Sequence, residues 1–209
     1  MSIVCPTVTA YDLHEYRDQL NIASQLSSRV HIDLMDGNFT STKSPGLSRI
    51  WLPYNNITDI HLMYQEPMSQ LDWLIKLKPH MVIVQAESTV HHMHFASELH
   101  KNNIKVGLAI LQETPVENVI QIMHSFDHIL IFSGNLGLHG GHADLNLLSK
   151  VEQIRKEYHD VEIGWDGGVN EDNAKMLAES GVDILNVGGF IQKSDNPDIA
   201  YQKITNSLL

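Results

Sequence analysis

Val30-His31-Ile32-Asp33-Leu34-Met35-Asp36-Gly37 reads as a strand ending in a turn. In an extended chain side chains alternate faces, so His31, Asp33 and Met35 point the same way. An imidazole and a carboxylate two residues apart make a poor hydrophobic core. They make a good half of a metal site, because neutral imidazole and carboxylate are ligands of zinc and similar divalent ions. The competing reading is a buried His/Asp pair that satisfies itself. Asp36 and Gly37 form the turn that ends the strand.

The same unit recurs on both sides of residues 30–37: a short apolar or β-branched run, then a segment of helical character. Strands are predicted over Ile3–Thr7, Val30–Leu34, Ile57–Leu62, Met81–Gln85, Lys105–Ile110, His128–Phe132, Val161–Trp165 and Asp183–Val187. Spacing at Leu13, Tyr16, Leu20 and Ala23 predicts a helix over residues 11–26. Further helices are expected near 47–52, from Glu66-Pro67 onward, over 90–102, 144–158, 171–180 and 197–207, and after a Thr114 cap with Pro115 at the first position. With no linker or composition break, this alternation predicts one α/β domain over residues 1–209. Continuous apolar strands suit a parallel sheet covered on both faces. No early Gly-x-Gly-x-x-Gly turn appears, which favours a single (β/α)8 TIM barrel over a doubly wound sheet.

Composition narrows the function. A formal charge of −11 argues against partners that are nucleic acid or anionic membrane, since both call for clustered Lys and Arg. Any phosphate must then be held mainly by backbone amides. The single cysteine, Cys5, excludes an internal disulfide and suits a reducing compartment. The start lacks a charged n-region with a long apolar run, and no stretch reaches the length of a membrane span, so a cytoplasmic location is expected.

Barrel chemistry lies where strands meet their C-terminal loops. His31 and Asp33 lie near the end of strand two, and His61 near the end of strand three with Met63 two residues on. Asp166 follows strand seven in Gly164-Trp165-Asp166-Gly167-Gly168. Two histidines and two carboxylates at one rim form a four-ligand set, which favours the metal over the self-satisfied pair. Gly140-Gly141, Gly167-Gly168 and Gly188-Gly189 follow strands six, seven and eight. Glycine lets amides approach an anion, and barrels commonly bind phosphate with these last loops. A metal facing a phosphate site implies a phosphorylated substrate and proton abstraction beside a carbonyl. No lysine ends a strand, which disfavours Schiff-base chemistry.

At this point the chain resembles the ribulose-phosphate 3-epimerases over nearly its whole length. The matching pieces are Cys5-Pro6-Thr7, Val30 to Gly37, Ile60-His61-Leu62-Met63, Val106 to Ile110, Gly164 to Asn170, and Val187-Gly188-Gly189-Phe190-Ile191. The resemblance implies a (β/α)8 barrel that interconverts D-ribulose 5-phosphate and D-xylulose 5-phosphate. It implies one divalent ion, zinc first, with iron, manganese or cobalt as alternatives, on His31, Asp33, His61 and Asp166. It makes Asp33 and Asp166 the acid/base pair acting through a cis-enediolate, with Met35 and Met63 packed on the intermediate and Thr7 touching substrate. A small phosphorylated sugar is the expected partner, and a homo-oligomer, dimer or larger, the expected assembly.

The chain departs from the family pattern in substrate-facing loops. Gln85 stands where the family commonly has His, and Leu111-Gln112 replaces a Lys/Asn-Pro pattern. The loop after strand six reads Gly134-Asn-Leu-Gly-Leu-His-Gly-Gly-His142, and Gly188-Gly189 replaces Gly-Ser or Gly-Asn. A six-carbon ketose phosphate of the allulose 6-phosphate type is therefore the alternative substrate. A lyase or synthase is disfavoured, because Asp33-Leu-Met-Asp36 lacks the lysine of the Asp-x-Lys-x-x-Asp motif. A non-catalytic binder would have lost an acid/base carboxylate, and neither is lost. His139 and His142 either contact phosphate or a sugar hydroxyl or decorate the loop. His91, His92 and His94 read as a solvated helix face. Cys5, Trp51, Trp73 and Trp165 read as packing, and Glu162 and Glu171 as solvated.

Overall fold

Eight runs of apolar and β-branched residues form eight strands, because such side chains pack well on a pleated surface covered on both sides. The structure, a computed structural model, describes residues 2–209. The strands are β1 Ile3–Thr9, β2 Arg29–Met35, β3 Ile57–Met63, β4 Met81–Gln85, β5 Lys105–Ile110, β6 His128–Phe132, β7 Glu162–Asp166 and β8 Ile184–Val187. Each pairs in parallel with the next, and β8 pairs with β1, which closes the predicted barrel. The helices are α1 Leu13–Leu26, α2 Leu71–Leu77, α3 His92–His100, α4 Leu148–Glu157, α5 Ala174–Glu179, α6 Gly189–Gln192 and α7 Pro197–Ser207. Among the described residues, none is long and apolar enough to cross a membrane.

Val30, Ile32 and Leu34 of β2 join the main core, together with helix residues such as Leu20, Leu74, Phe95 and Ile154. The other strand face points into the barrel. There Met81, Ile83, Ala109 and Leu130 form a small separate apolar cluster. Nearer the strand starts, Arg29 Nε donates to Asp59 Oδ2 at 2.6 Å, and its two Nη atoms donate to Glu162 at 2.8 and 2.7 Å. His128 Nδ1 lies 2.9 Å from the same Glu162 carboxylate. Strands β2 and β7 are not neighbours, so these bonds cross the barrel and form its floor. Glu162 is thus a half-buried floor residue, not the solvated one expected, because closure turns its register position inward.

The floor depends on Gly164 having no side chain. A Cβ there would lie 2.5 Å from His128 Nε2 and 2.9 Å from Leu130 Cδ1. Gly164→Ala is expected to cost about 1–3 kcal/mol through overpacking, read from the urea midpoint. An unchanged midpoint would show that the His128 ring has room to move.

Two local expectations fail for identifiable reasons. Within residues 47–52 there is a turn over 47–49, in which the Arg49 N–H donates to the Gly46 carbonyl at 2.9 Å, and no helix. Only a few residues separate Pro45-Gly46 from Pro53, too few to offset the cost of nucleation. Thr114 does not cap a helix, because its hydroxyl is committed to Glu87. After it come two 3-10 segments, Val116–Asn118 and Ile120–Ser125. Lys150 Nζ donates to the carbonyls of Leu111, Gln112 and Thr114 at 2.7, 2.9 and 2.7 Å, tying the chain down before it can coil. β-branched Val116, Val119, Ile120 and Ile122 weaken the helix further. Trp165 is fully buried as expected, whereas Trp51 and Trp73 stay about half exposed, Trp51 edge-on to Tyr16 and Trp73 under Lys76.

Candidate active site

Parallel pairing sets the rim. Thr9 of β1 is in register with Asp33 of β2, and Asp33 with His61 of β3. Asp166 is the last residue of β7. His31, Asp33, His61 and Asp166 are all buried, and one ligand atom from each lies within 4.8 Å of the others. Among the described residues no other group of three or more His, Cys, Asp or Glu side chains forms such a cluster.

The spacing can be compared with a coordination shell. His31 Nε2 lies 3.4 Å from Asp33 Oδ1 and 3.5 Å from Asp166 Oδ2. His61 Nδ1 lies 3.0 Å from Asp33 Oδ1 and 3.9 Å from Asp166 Oδ2. Four ligands about 2.1 Å from one ion at tetrahedral angles stand about 3.4 Å apart. His31 Nε2 and Asp166 Oδ2 are buried without any hydrogen-bond partner, which fits atoms able to share one cation. The buried pair of the competing reading would not leave them orphaned.

The two carboxylates have opposite tendencies. Burial would raise the pKa of Asp33, but hydrogen bonds and charge from His31 and His61 hold it well below the usual carboxylate range. Asp166 is pushed up to about 7 by burial and then by the negative charge of Asp33. Thr9, which the shorter predicted strand one left out, donates its hydroxyl to Asp33 Oδ2 at 2.7 Å and fixes that carboxylate. Gln85 Nε2 lies 2.8 Å from His61 Nε2.

Above the cluster lies a cavity of about 200 Å³. Its volume is below the roughly 300–1,000 Å³ of sites for drug-sized ligands, which suits a small substrate. All six residues of the three glycine pairs line it, as do Thr7, Met63, Asp33 and Asp166. Among its lining residues there is no lysine. Met35 lies outside the lining, fully buried, its sulfur 3.1 Å from the Thr42 hydroxyl oxygen. Gly167 and Gly168 have φ of +112° and +72°, and a Cβ on either would overlap the backbone of Gly134 or Ala143. The glycines therefore let the last loops touch and leave backbone as the cavity wall.

Two of the lining residues could not be assigned from composition or period alone. Asn186 is buried on β8 with neither polar side-chain atom partnered. An asparagine in the otherwise apolar Ile184–Val187 strand was the available signal. His139 lines the cavity edge-on to Tyr11, and burial lowers its pKa. The Gly137 carbonyl, in the same loop, accepts from Thr42 Oγ1 at 2.7 Å and from Tyr11 at 3.3 Å. His142 is exposed and does not line the cavity. His91 caps α3 through the His94 N–H, and His92 contacts the Gln85 carbonyl, so the histidine tract does not converge as ligands.

Fold and site together define a (β/α)8-barrel enzyme whose rim carries a His/Asp cluster under a small glycine-walled cavity. The chain belongs to the ribulose-phosphate 3 epimerase family, whose profile matches residues 3–191. It is 28% identical over 205 residues to the ribulose-phosphate 3-epimerase of Mycobacterium tuberculosis (strain ATCC 25618 / H37Rv), covering 95% of this chain and 89% of that one. It is 24% identical over 213 residues to that of Bacillus subtilis (strain 168), covering 98% of each. Among solved structures, a 3-hexulose-6-phosphate synthase superposes with a TM-score of 0.73 over the whole of both chains. A phosphoribosyl anthranilate isomerase from Thermococcus kodakaraensis superposes with 0.67 over 100% of this chain and 99% of that one. Their identities of 15% and 14% show a shared fold.

Proposed function

We propose that the protein epimerises a ketose phosphate at C3, with D-ribulose 5-phosphate and D-xylulose 5-phosphate as the pair. The observation that carries this reading is the convergence on one small cavity of two carboxylates, each backed by buried histidines of the same cluster, and six backbone-only glycines. Family membership and the similarity to ribulose-phosphate 3-epimerases support it. His31, Asp33, His61 and Asp166 fit one divalent ion by donor type, spacing and orphaned atoms, with zinc the first candidate. When bound, such an ion supplies positive charge beside the substrate's carbonyl and hydroxyl oxygens.

The chain's own residues account for the remaining steps. The glycine loops hold the phosphate by backbone amides, and Lys193, which donates to the His139 carbonyl at 3.4 Å, brings a cation beside them. Of Asp33 and Asp166, one takes the C3 proton and the other delivers a proton to the opposite face. Thr9 keeps Asp33 oriented while it does so. Thr7 Oγ1 and the Asn186 amide, buried and unpartnered at the cavity wall, are free to bond substrate hydroxyls. Met63 and Phe132 supply an uncharged wall.

A six-carbon ketose phosphate is the second reading, favoured because the divergent residues Leu138 and His139 line the cavity. Incubation with D-ribulose 5-phosphate in deuterated water is expected to yield D-xylulose 5-phosphate carrying deuterium at C3. Chelation should stop the exchange, and zinc should restore it. Exchange with a hexulose phosphate but with neither pentulose would move the assignment to the second reading.

A further inference from the structure

His61 is held at both ends of its ring, and it has no exposed surface. Its Nδ1 faces Asp33 and Asp166, and its Nε2 faces the amide of Gln85 at 2.8 Å. Gln85 is also fully buried, at the end of β4, and its Oε1 has no partner. A neutral imidazole that gives one nitrogen to a cation carries its proton on the other. If Nδ1 faces the ion, Nε2–H becomes a buried donor that needs an acceptor. A half turn of the Gln85 side-chain amide brings the orphaned Oε1 to that donor. The turn breaks only the one contact it replaces, since Nε2 of Gln85 makes no other hydrogen bond. The backbone is not disturbed, because the Gln85 carbonyl remains anchored by His92.

We propose that Gln85 is a positioning residue: its amide oxygen accepts from His61 Nε2–H and so commits Nδ1 to a bound divalent cation. The proposal rests on the metal reading of the cluster. A neutral amide serves here without adding a third negative charge beside Asp33 and Asp166, and without a titrating group of its own.

Long-range ¹H–¹⁵N spectra of the zinc-loaded protein should show His61 protonated at Nε2. Competition with a chromophoric chelator should show Gln85→Leu binding zinc about 10- to 100-fold more weakly. Gln85→Glu, which keeps an acceptor in place, should bind at least as tightly as the parent. Protonation at Nδ1 overturns the proposal, as does a Gln85→Leu variant that folds with parental circular dichroism and binds zinc within twofold of the parent. Should Gln85→Leu not fold, the spectrum of the parent protein decides. If the parent itself binds no zinc, the metal reading falls and the proposal with it, which is seen before any variant is made.

Discussion

Asp166→Asn is expected to lower kcat by about 10⁴-fold, the upper range for loss of a positioned general acid or base. The amide keeps the size and one oxygen of the side chain but can neither donate nor take up the proton. Asp33→Asn should fail comparably, because Asp33 stands on the same cavity, accepts from Thr9 and lies 3.0 Å from His61 Nδ1. The two carboxylates cannot stand in for each other if they serve opposite faces of one carbon. Both variants also alter the proposed metal cluster, so zinc content and turnover should be measured together. Turnover retained in either fully folded variant would sink the two-carboxylate scheme. Turnover lost with zinc still bound would place the defect in proton transfer itself.

Arg29→Met should reduce stability by about 3–5 kcal/mol, because removing one member of a buried ion cluster leaves uncompensated charge. For a chain of this size the fall in Tm is on the order of 10 °C. The Arg29 and Asp59 side chains are only 8% and 2% exposed, so water cannot replace the lost partner. Adding Asp59→Leu removes the stranded carboxylate and should recover part of the loss. If Arg29→Met costs less than about 1 kcal/mol, the floor does not hold the barrel in the way its geometry implies. Values of kcat should be unchanged, since Met81, Ile83, Ala109 and Leu130 separate floor from rim. The pH dependence has a definite sign. Burial would raise the pKa of Glu162, but hydrogen bonds and charge from Arg29 and His128 hold it well below the usual carboxylate range. A depressed folded-state pKa contributes stability that is present at neutral pH and lost as pH falls below about 4. Glu162→Gln should flatten that acid limb.

Much of this protein is legible in its sequence. The eight strands follow from apolar runs, and the 197–207 helix from Asn196-Pro197 at its start and helical spacing after it. The ligand types at the ends of β2, β3 and β7, and the glycine pairs after β6, β7 and β8, could be placed by strand order alone. The misplaced segments differ in cause. Residues 47–52 are too few between prolines to nucleate a helix, whereas Glu87 and Lys150, distant in sequence, decide what residues 111–125 do. Thr9 and Asn186 escape the sequence reading because each is an ordinary residue until a facing strand is brought up to it, and Gln85, legible as a departure from the family pattern, meets His61 only in the closed barrel.

By itself, then, the sequence determined period, strand order and the chemical types presented at each strand end, because alternation along a strand is a property of a few consecutive residues. Which of those side chains meet is a property of register and closure. Closure draws Glu162 across to Arg29, gathers four side chains from three strands to within 4.8 Å, and leaves His31 Nε2 and Asp166 Oδ2 facing each other without a partner. It also sets Gln85 against His61, with its side-chain amide 2.8 Å from the ring Nε2. Hydrogen bonds act over about 3 Å, and only the closed barrel brings residues 24 to 133 positions apart within that reach.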